Sequence, residues 1–229
     1  MIPQNKAYIF LAGKRKINEC NTWRSFESLD TESAFCNESA FCTFKGLSDI
    51  VLAAKSTFTI SINDDSEIIL LPVVGAVVYS DSAGNFATVE VGEIQRINAR
   101  ANTVIELKNH FESELTNFLV FRFQDDKAGN SKFFQTTVFD TEKRNELIEL
   151  SSFLPQSSYK LWIGKFTGRS EALHVFGKQS KGLLAFVIEG AFEVQYRLLE
   201  ARDGLIIWDV DNVEIEALSN EAIILLVEK

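Results

Sequence analysis

Histidine is almost missing from this chain, which has two in 229 residues, His110 and His174. Neither stands beside a serine or cysteine in a recognisable elbow, so a hydrolytic triad finds no support. Cysteine is scarce as well. Cys20, Cys36 and Cys42 are odd in number and lack CxxC spacing, which argues against a disulfide framework or a local zinc site and suits a reducing compartment. Basic residues are outnumbered, 23 against 32 acidic, and the net charge of −9 speaks against direct binding of nucleic acid or an anionic membrane surface. No run is long and apolar enough for a spanning helix. Lys14-Arg15-Lys16 follows the short apolar patch Tyr8–Ala12, whereas a signal peptide has its basic residues first. A cytoplasmic location is therefore expected. A phosphate-cradling loop is missing too, because Gly164-Lys165-Phe166-Thr167-Gly168 does not have the GxxxxGK[ST] spacing.

The chain does contain ample core material, with 46% hydrophobic residues and 19 phenylalanines. The stretch Ser61 to Leu107 organises the rest. Glu67–Val78 is a β-branched apolar run broken by Gly75, Asp81-Ser82-Ala83-Gly84-Asn85 has turn chemistry, and Val89–Ile94 begins another strand. Strand, glycine, strand, turn, strand and then a glycine-acid pair is a β-sandwich or barrel pattern. The second half repeats it: Leu183–Ala191 parallels Ile68–Ala76, and Leu199–Leu205 parallels Val89–Ile94. Val213–Ala217 alternates and Ala222–Val227 is a continuous apolar strand, so two similar barrels follow. Gln124–Lys132 reads as the linker and Glu142–Leu150 as a short helix. The expected domains are 1–130 and 131–229. Ahead of the first barrel, Ala7–Ala12 reads as a strand, the region through Trp23-Arg24-Ser25-Phe26 as loop-rich, and Asp30–Ser39 as a surface loop.

From Ser61 to Asn85 the chain resembles the pirin family, including quercetin dioxygenase-like members. The pattern HPHRGFE, an apolar run, EG and D-S-x-G-N lies over it without a gap, with Glu67 on the glutamate and Gly75 on the glycine. A second pattern, GDVQ followed by a histidine and a glutamate, lies over Gly92-Glu93-Ile94-Gln95 and onward. The resemblance continues at Trp23–Phe26, Phe44-Lys45-Gly46-Leu47 and Leu52-Ala53-Ala54, and in the second half at Ile163–Arg169, Glu189–Gln195, Arg197–Leu205 and Glu216–Asn220. It implies an all-β double-stranded β-helix, or cupin, duplicated as two β-barrels with few short helices. It also implies a metal-dependent quercetin 2,3-dioxygenase-like activity, whose ligand positions fall here on Ser61, Asn63, Ile105 and Leu107.

Such a metal needs imidazole or carboxylate donors converging from neighbouring strands. Residues at i and i+2 share a strand face, so Ser61 pairs with Asn63 and Ile105 with Leu107, and two aliphatic groups bind no metal. A slip of one residue brings Glu106 inward only by turning Ile105 and Leu107 out, against the apolar pattern. Loss of the metal, no cofactor and no catalytic residue are the expectation. If the first barrel is open, Ser61, Asn63, Glu67, Ile105 and Leu107 line its pocket. His110, Glu112 and Glu114 could share a strand face as ligands, but their acidity reads as a solvated edge. Two functions stay open: a metal-free protein binding a small apolar ligand or a protein partner, and an oxygenase with compensating ligands such as Glu106, His110 or His174.

Overall fold

The computed structural model describes residues 5–28, 40–124, 134–150, 159–178, 180 and 182–229. The chain forms two compact units, one made of Arg15–Thr31 and Thr43–Phe139, the other of Met1–Lys14, Glu32–Cys42 and Asp140–Lys229. Strand β1 (Ala7–Phe10) belongs to the second unit. The first unit contains β2 (Lys16–Glu19), β3 (Trp23–Ser28), β4 (Phe44–Leu52), β5 (Thr57–Ser61), β6 (Ser66–Val74), β7 (Ala76–Asp81), β8 (Phe86–Glu90), β9 (Glu93–Ala99), β10 (Val104–Lys108), β11 (Thr116–Gln124) and β12 (Phe134–Val138). The second continues with β13 (Glu146–Glu149), β14 (Lys160–Phe166), β15 (Glu171–Val175), β16 (Gly182–Glu189), β17 (Phe192–Val194), β18 (Arg197–Leu199), β19 (Gly204–Trp208), β20 (Asn212–Ala217) and β21 (Ala222–Glu228). Among the described residues the helical elements are short 3-10 turns, Ala12–Lys14 and Ala40–Thr43, and no helix is long and apolar enough to cross a membrane.

The duplication seen in the sequence is a duplication of topology. The first unit pairs its sheets in the orders β12-β9-β6-β11-β4-β3-β2 and β5-β10-β7-β8, and the second in the orders β1-β19-β16-β21-β14-β13 and β15-β20-β17-β18. Among the described residues these match strand for strand, with β2 the one addition. The large sheets are built from runs buried on both faces, such as Ser66–Leu71 in β6 and Gly182–Ile188 in β16. The small sheets alternate, one face in and one out, as in β10 and β20. Ile50, Leu70, Val77, Val89, Ile105, Leu107 and Phe118 are part of the core of the first barrel, and Leu183, Phe192, Leu205, Val213 and Leu226 are part of that of the second.

Local chemistry sets the corners. Gly75 holds φ +75°, and a Cβ there would meet the Phe111 ring at 2.9 Å, so only glycine separates β6 from β7 without strain. Pro72 has no N–H to donate and lies past the end of the β9 ladder, which stops at Leu70, while on its other side β11 shifts register against β6 between Asn117 and Phe118.

Three expectations are corrected. Glu142–Leu150 is not helical: Asn145 takes φ +61°, and Glu146–Glu149 pairs with β14 while Leu147 packs on the core. Trp23–Phe26 is strand β3, held against β4. The units part at 139/140 instead of 130/131, because β12 pairs with β9, and the opening strand β1 pairs with β19. The loop read at Asp30–Ser39 and the linker read at Gln124–Lys132 lie outside the described residues, except for Gln124, which ends β11.

Candidate functional site

The place to look for a metal is the inner face of the first barrel. Strand β10 lies between β5 and β7, and its alternation turns Ile105 and Leu107 inward, 1% and 2% exposed. Across the β5 ladder Ile105 faces Ile60 and Leu107 faces Phe58. Ile62, just past the end of β5, is also buried in this core, while Ser61, opposite Val104, is exposed, as is Asn63. Glu67 neighbours Ile68 on β6 and so faces the other side of that strand. There its carboxylate accepts from Arg96 Nη2, and Arg96 is fully buried. Of the five residues expected to line one pocket, the structure brings together Ile105 and Leu107, turns Ser61 and Asn63 to solvent, and commits Glu67 to an ion pair.

That arrangement does not fit a metal. Aliphatic side chains offer no donor, and among the described residues no three His, Cys, Asp or Glu are grouped so as to hold one. Tyr79, part of this core, donates its hydroxyl to Asp81 Oδ2 at 2.7 Å. Burial and the Asp81 charge push the phenol well above its ordinary value, so it stays protonated. Burial works to raise the Asp81 carboxyl, but hydrogen bonds from Asn85, Tyr79 and the Ala83 and Asn85 amides hold it below the usual range. The D-S-x-G-N turn is thus structural. Asp81 organises the hairpin, and the Ser82 amide donates to the Val104 carbonyl, tying it to the start of β10.

His110, Glu112 and Glu114 lie in the connection between β10 and β11, not along a strand, and all three are exposed. Glu112 pairs with Lys55 and His110 rests on Phe111 at 4.4 Å. Glu106 points outward from β10.

The second barrel contains a polar cluster that the sequence did not reveal. His174 stands on the inner face of β15, opposite Val213, the place that Ile60 takes opposite Ile105. Its Nε2 lies 2.7 Å from Glu228 Oε2, and the Trp162 ring meets the imidazole edge-on at 4.4 Å. Glu228 Oε1 accepts from the Gly177 amide at 3.1 Å and from the Ser180 hydroxyl. Burial would raise the Glu228 carboxyl, yet the hydrogen bonds from His174, Ser180 and Gly177 hold it below its ordinary value. The serine hydroxyl is spent on the carboxylate and not on the imidazole, so the trio does not generate a nucleophile.

Comparison with known proteins agrees with this architecture. Residues 152–228 match the family described as the quercetinase C-terminal cupin domain. The fold is that of a bicupin, similar to the pirins. The chain is 27% identical over 187 residues to PA1210 of Pseudomonas aeruginosa, a quercetin 2,3-dioxygenase by provisional name, covering 78% of this chain and 80% of that one. YhhW from Escherichia coli superposes with a TM-score of 0.80 at 18% identity, over 97% of both chains. The same bacterial pirin in complex with nickel(II) superposes at 0.79 and 18%, covering 97% of this chain and 98% of that one. Those likenesses carry the fold. In this pirin-like bicupin the strands, the Gly75 break and the Asp81 turn of the family pattern stand where the resemblance put them, while the side chains at its ligand positions are two exposed polar groups and two buried aliphatic ones. The sequence did carry a signal for the orientation of Ser61: Phe58, Ile60 and Ile62 alternate with Thr57, Thr59 and Ser61, and the apolar set turns inward.

Proposed function

We propose that this pirin-like bicupin is a metal-free binding protein that acts through its outer surface, engaging a protein partner, and that it is not a flavonol dioxygenase. The observation that carries this reading is the inner face of β10. Ile105 and Leu107 pack among Ile50, Val77, Tyr79, Val89 and Phe118, where a metal site would need donors and an open position. A small apolar ligand in the first barrel is disfavoured for the same reason, since these side chains already fill the space. The oxygenase reading needs compensating ligands, but Glu106 and His110 face solvent, and His174 belongs to the second unit, engaged by Glu228. The odd, unspaced cysteines suit a reducing cytoplasm. The test is elemental analysis of protein purified without added metal, alongside a quercetin-cleavage assay with iron, manganese, nickel, cobalt and copper. Sub-stoichiometric metal and no cleavage are expected. One bound metal per chain, or cleavage restored by any of these ions, overturns the reading.

A further inference from the structure

The outer face of the second barrel's small sheet carries an open groove of about 380 Å³ with a mixed acidic and apolar lining, on which Leu173 is 58% and Tyr196 54% exposed. Carboxylates cross its floor. Glu171 on β15 stands directly opposite Glu216 on β20, which stands opposite Glu193 on β17, which stands opposite Leu198, 69% exposed on β18. Glu214 flanks the row two residues along β20, facing Leu173 and accepting from the Tyr196 hydroxyl. Like charges set directly opposite one another destabilise a sheet. Among the described residues only Glu216 of this row has an ion-pair partner, Arg169 at 2.8 Å, and Arg169 is 80% exposed.

The fold does not require that row. The matching sheet of the first barrel runs from the first residue of its edge strand as Thr57, Lys108 and Val78, also in direct register, with no acid among them. The same topology is therefore built once without the repulsion and once with it, and the version with it lies beside exposed leucine and tyrosine.

We infer that this groove is a docking site for an extended, lysine- or arginine-rich segment of another protein. The inference rests on the reading that the protein works through its surface, and it names the surface and the partner's chemistry. Alternate side chains of an extended segment stand ~7 Å apart, and carboxylates on three adjacent strands spread over about 10 Å, so two successive basic groups on long, flexible side chains cover the row between them. Leu173 and Leu198 take the aliphatic stems of those side chains, and the Tyr196 ring takes a guanidinium on its face.

The experiment titrates the full chain into a fluorescein-labelled nine-residue peptide alternating arginine and serine, reading anisotropy at low and raised salt. Wild type binds, and binding weakens as salt rises. Glu171→Thr with Glu193→Val, which installs the first barrel's residues, weakens it by about tenfold or more. The outward Glu106→Gln on the first barrel leaves it unchanged. The double variant melts no lower than wild type, because it removes a repulsion, so lost binding is not lost folding. No binding by wild type, or equal binding by the double variant, overturns the inference. Displacement of the peptide by millimolar calcium at constant ionic strength also overturns it, in favour of a cation site. Metal content measured on the same preparation separates the two claims: a metal-loaded protein whose peptide binding depends on Glu171 and Glu193 keeps this inference and loses the proposed function.

Discussion

His174 Nε2 and Glu228 Oε2 lie 2.7 Å apart in the second barrel with both side chains buried, and the same carboxylate also holds the Gly177 amide and the Ser180 hydroxyl. Glu228 thereby staples the β15–β16 connection to the last strand. Because its carboxyl is held below the ordinary value of 4.5, its ionised form stabilises the fold above that value, and the contribution is lost as pH falls through the lower folded value. Glu228→Gln should lower stability at neutral pH by ~1–3 kcal/mol. It should also flatten the dependence of the urea midpoint on pH below about 4.5. Identical acid slopes for the variant and wild type would show that this carboxylate is not linked to folding.

The Glu67–Arg96 pair makes a second, independent demand. Arg96 has no exposed surface, so removing Glu67 takes the carboxylate away from a buried guanidinium charge. Glu67→Ala should cost ~3–5 kcal/mol, whereas the joint change Glu67→Leu with Arg96→Leu should recover much of that loss. Urea unfolding of the two variants checks it. A single-variant loss below about 1 kcal/mol would mean that the pair is solvated in a way its burial does not suggest.

How much of this was legible follows from which interactions are local. The Gly75 break, the Asp81 turn and the alternation of β10 and β20 are written in neighbouring residues, and the structure keeps them. The inward direction of Ile105 and Leu107 was equally readable, because a strand with one buried face hides its apolar set. Ser61, Asn63 and Glu67 were grouped with them by the family pattern along the chain, but strand pairing decides faces, and it placed these three elsewhere. The Glu142–Leu150 stretch has charges that suit a solvated helix face or an edge strand equally. A left-handed Asn145 and the β14 ladder settle it, and neither shows in the composition. Pairing of β1 with β19, across about 200 residues of chain, leaves no local trace.

That long-range pairing has its own test in Phe10 and Gly204. The two are opposite each other in the ladder, and the Phe10 ring lies where a Cβ on Gly204 would be, with Phe186 stacked at 6.5 Å beyond it. Phe10→Ala should cost ~3–5 kcal/mol. Gly204→Ala should also destabilise, because the ring has to move, but in the Phe10→Ala background the added methyl should be close to neutral. Thermal unfolding of the three variants measures that non-additivity, and strictly additive losses would detach the ring from the glycine.

Returning the family's pattern to β10 tests the first barrel most directly. Ile105→His with Leu107→Glu puts an imidazole and a carboxylate among Val77, Tyr79, Val89 and Phe118, opposite Ile60 and Phe58, which donate nothing. Burying an unpaired carboxylate costs several kcal/mol, so the Tm should fall by ten degrees or more, on the order of the shift such a penalty gives in a domain of this size. Nickel or iron should not restore it, because two donors on one strand lack converging partners from the next. If added metal brings the Tm back to the wild-type value with one ion bound per chain, then β5 or its neighbours hold donors after all. In that case the aliphatic pair on β10 would be all that keeps this barrel from being a metal centre.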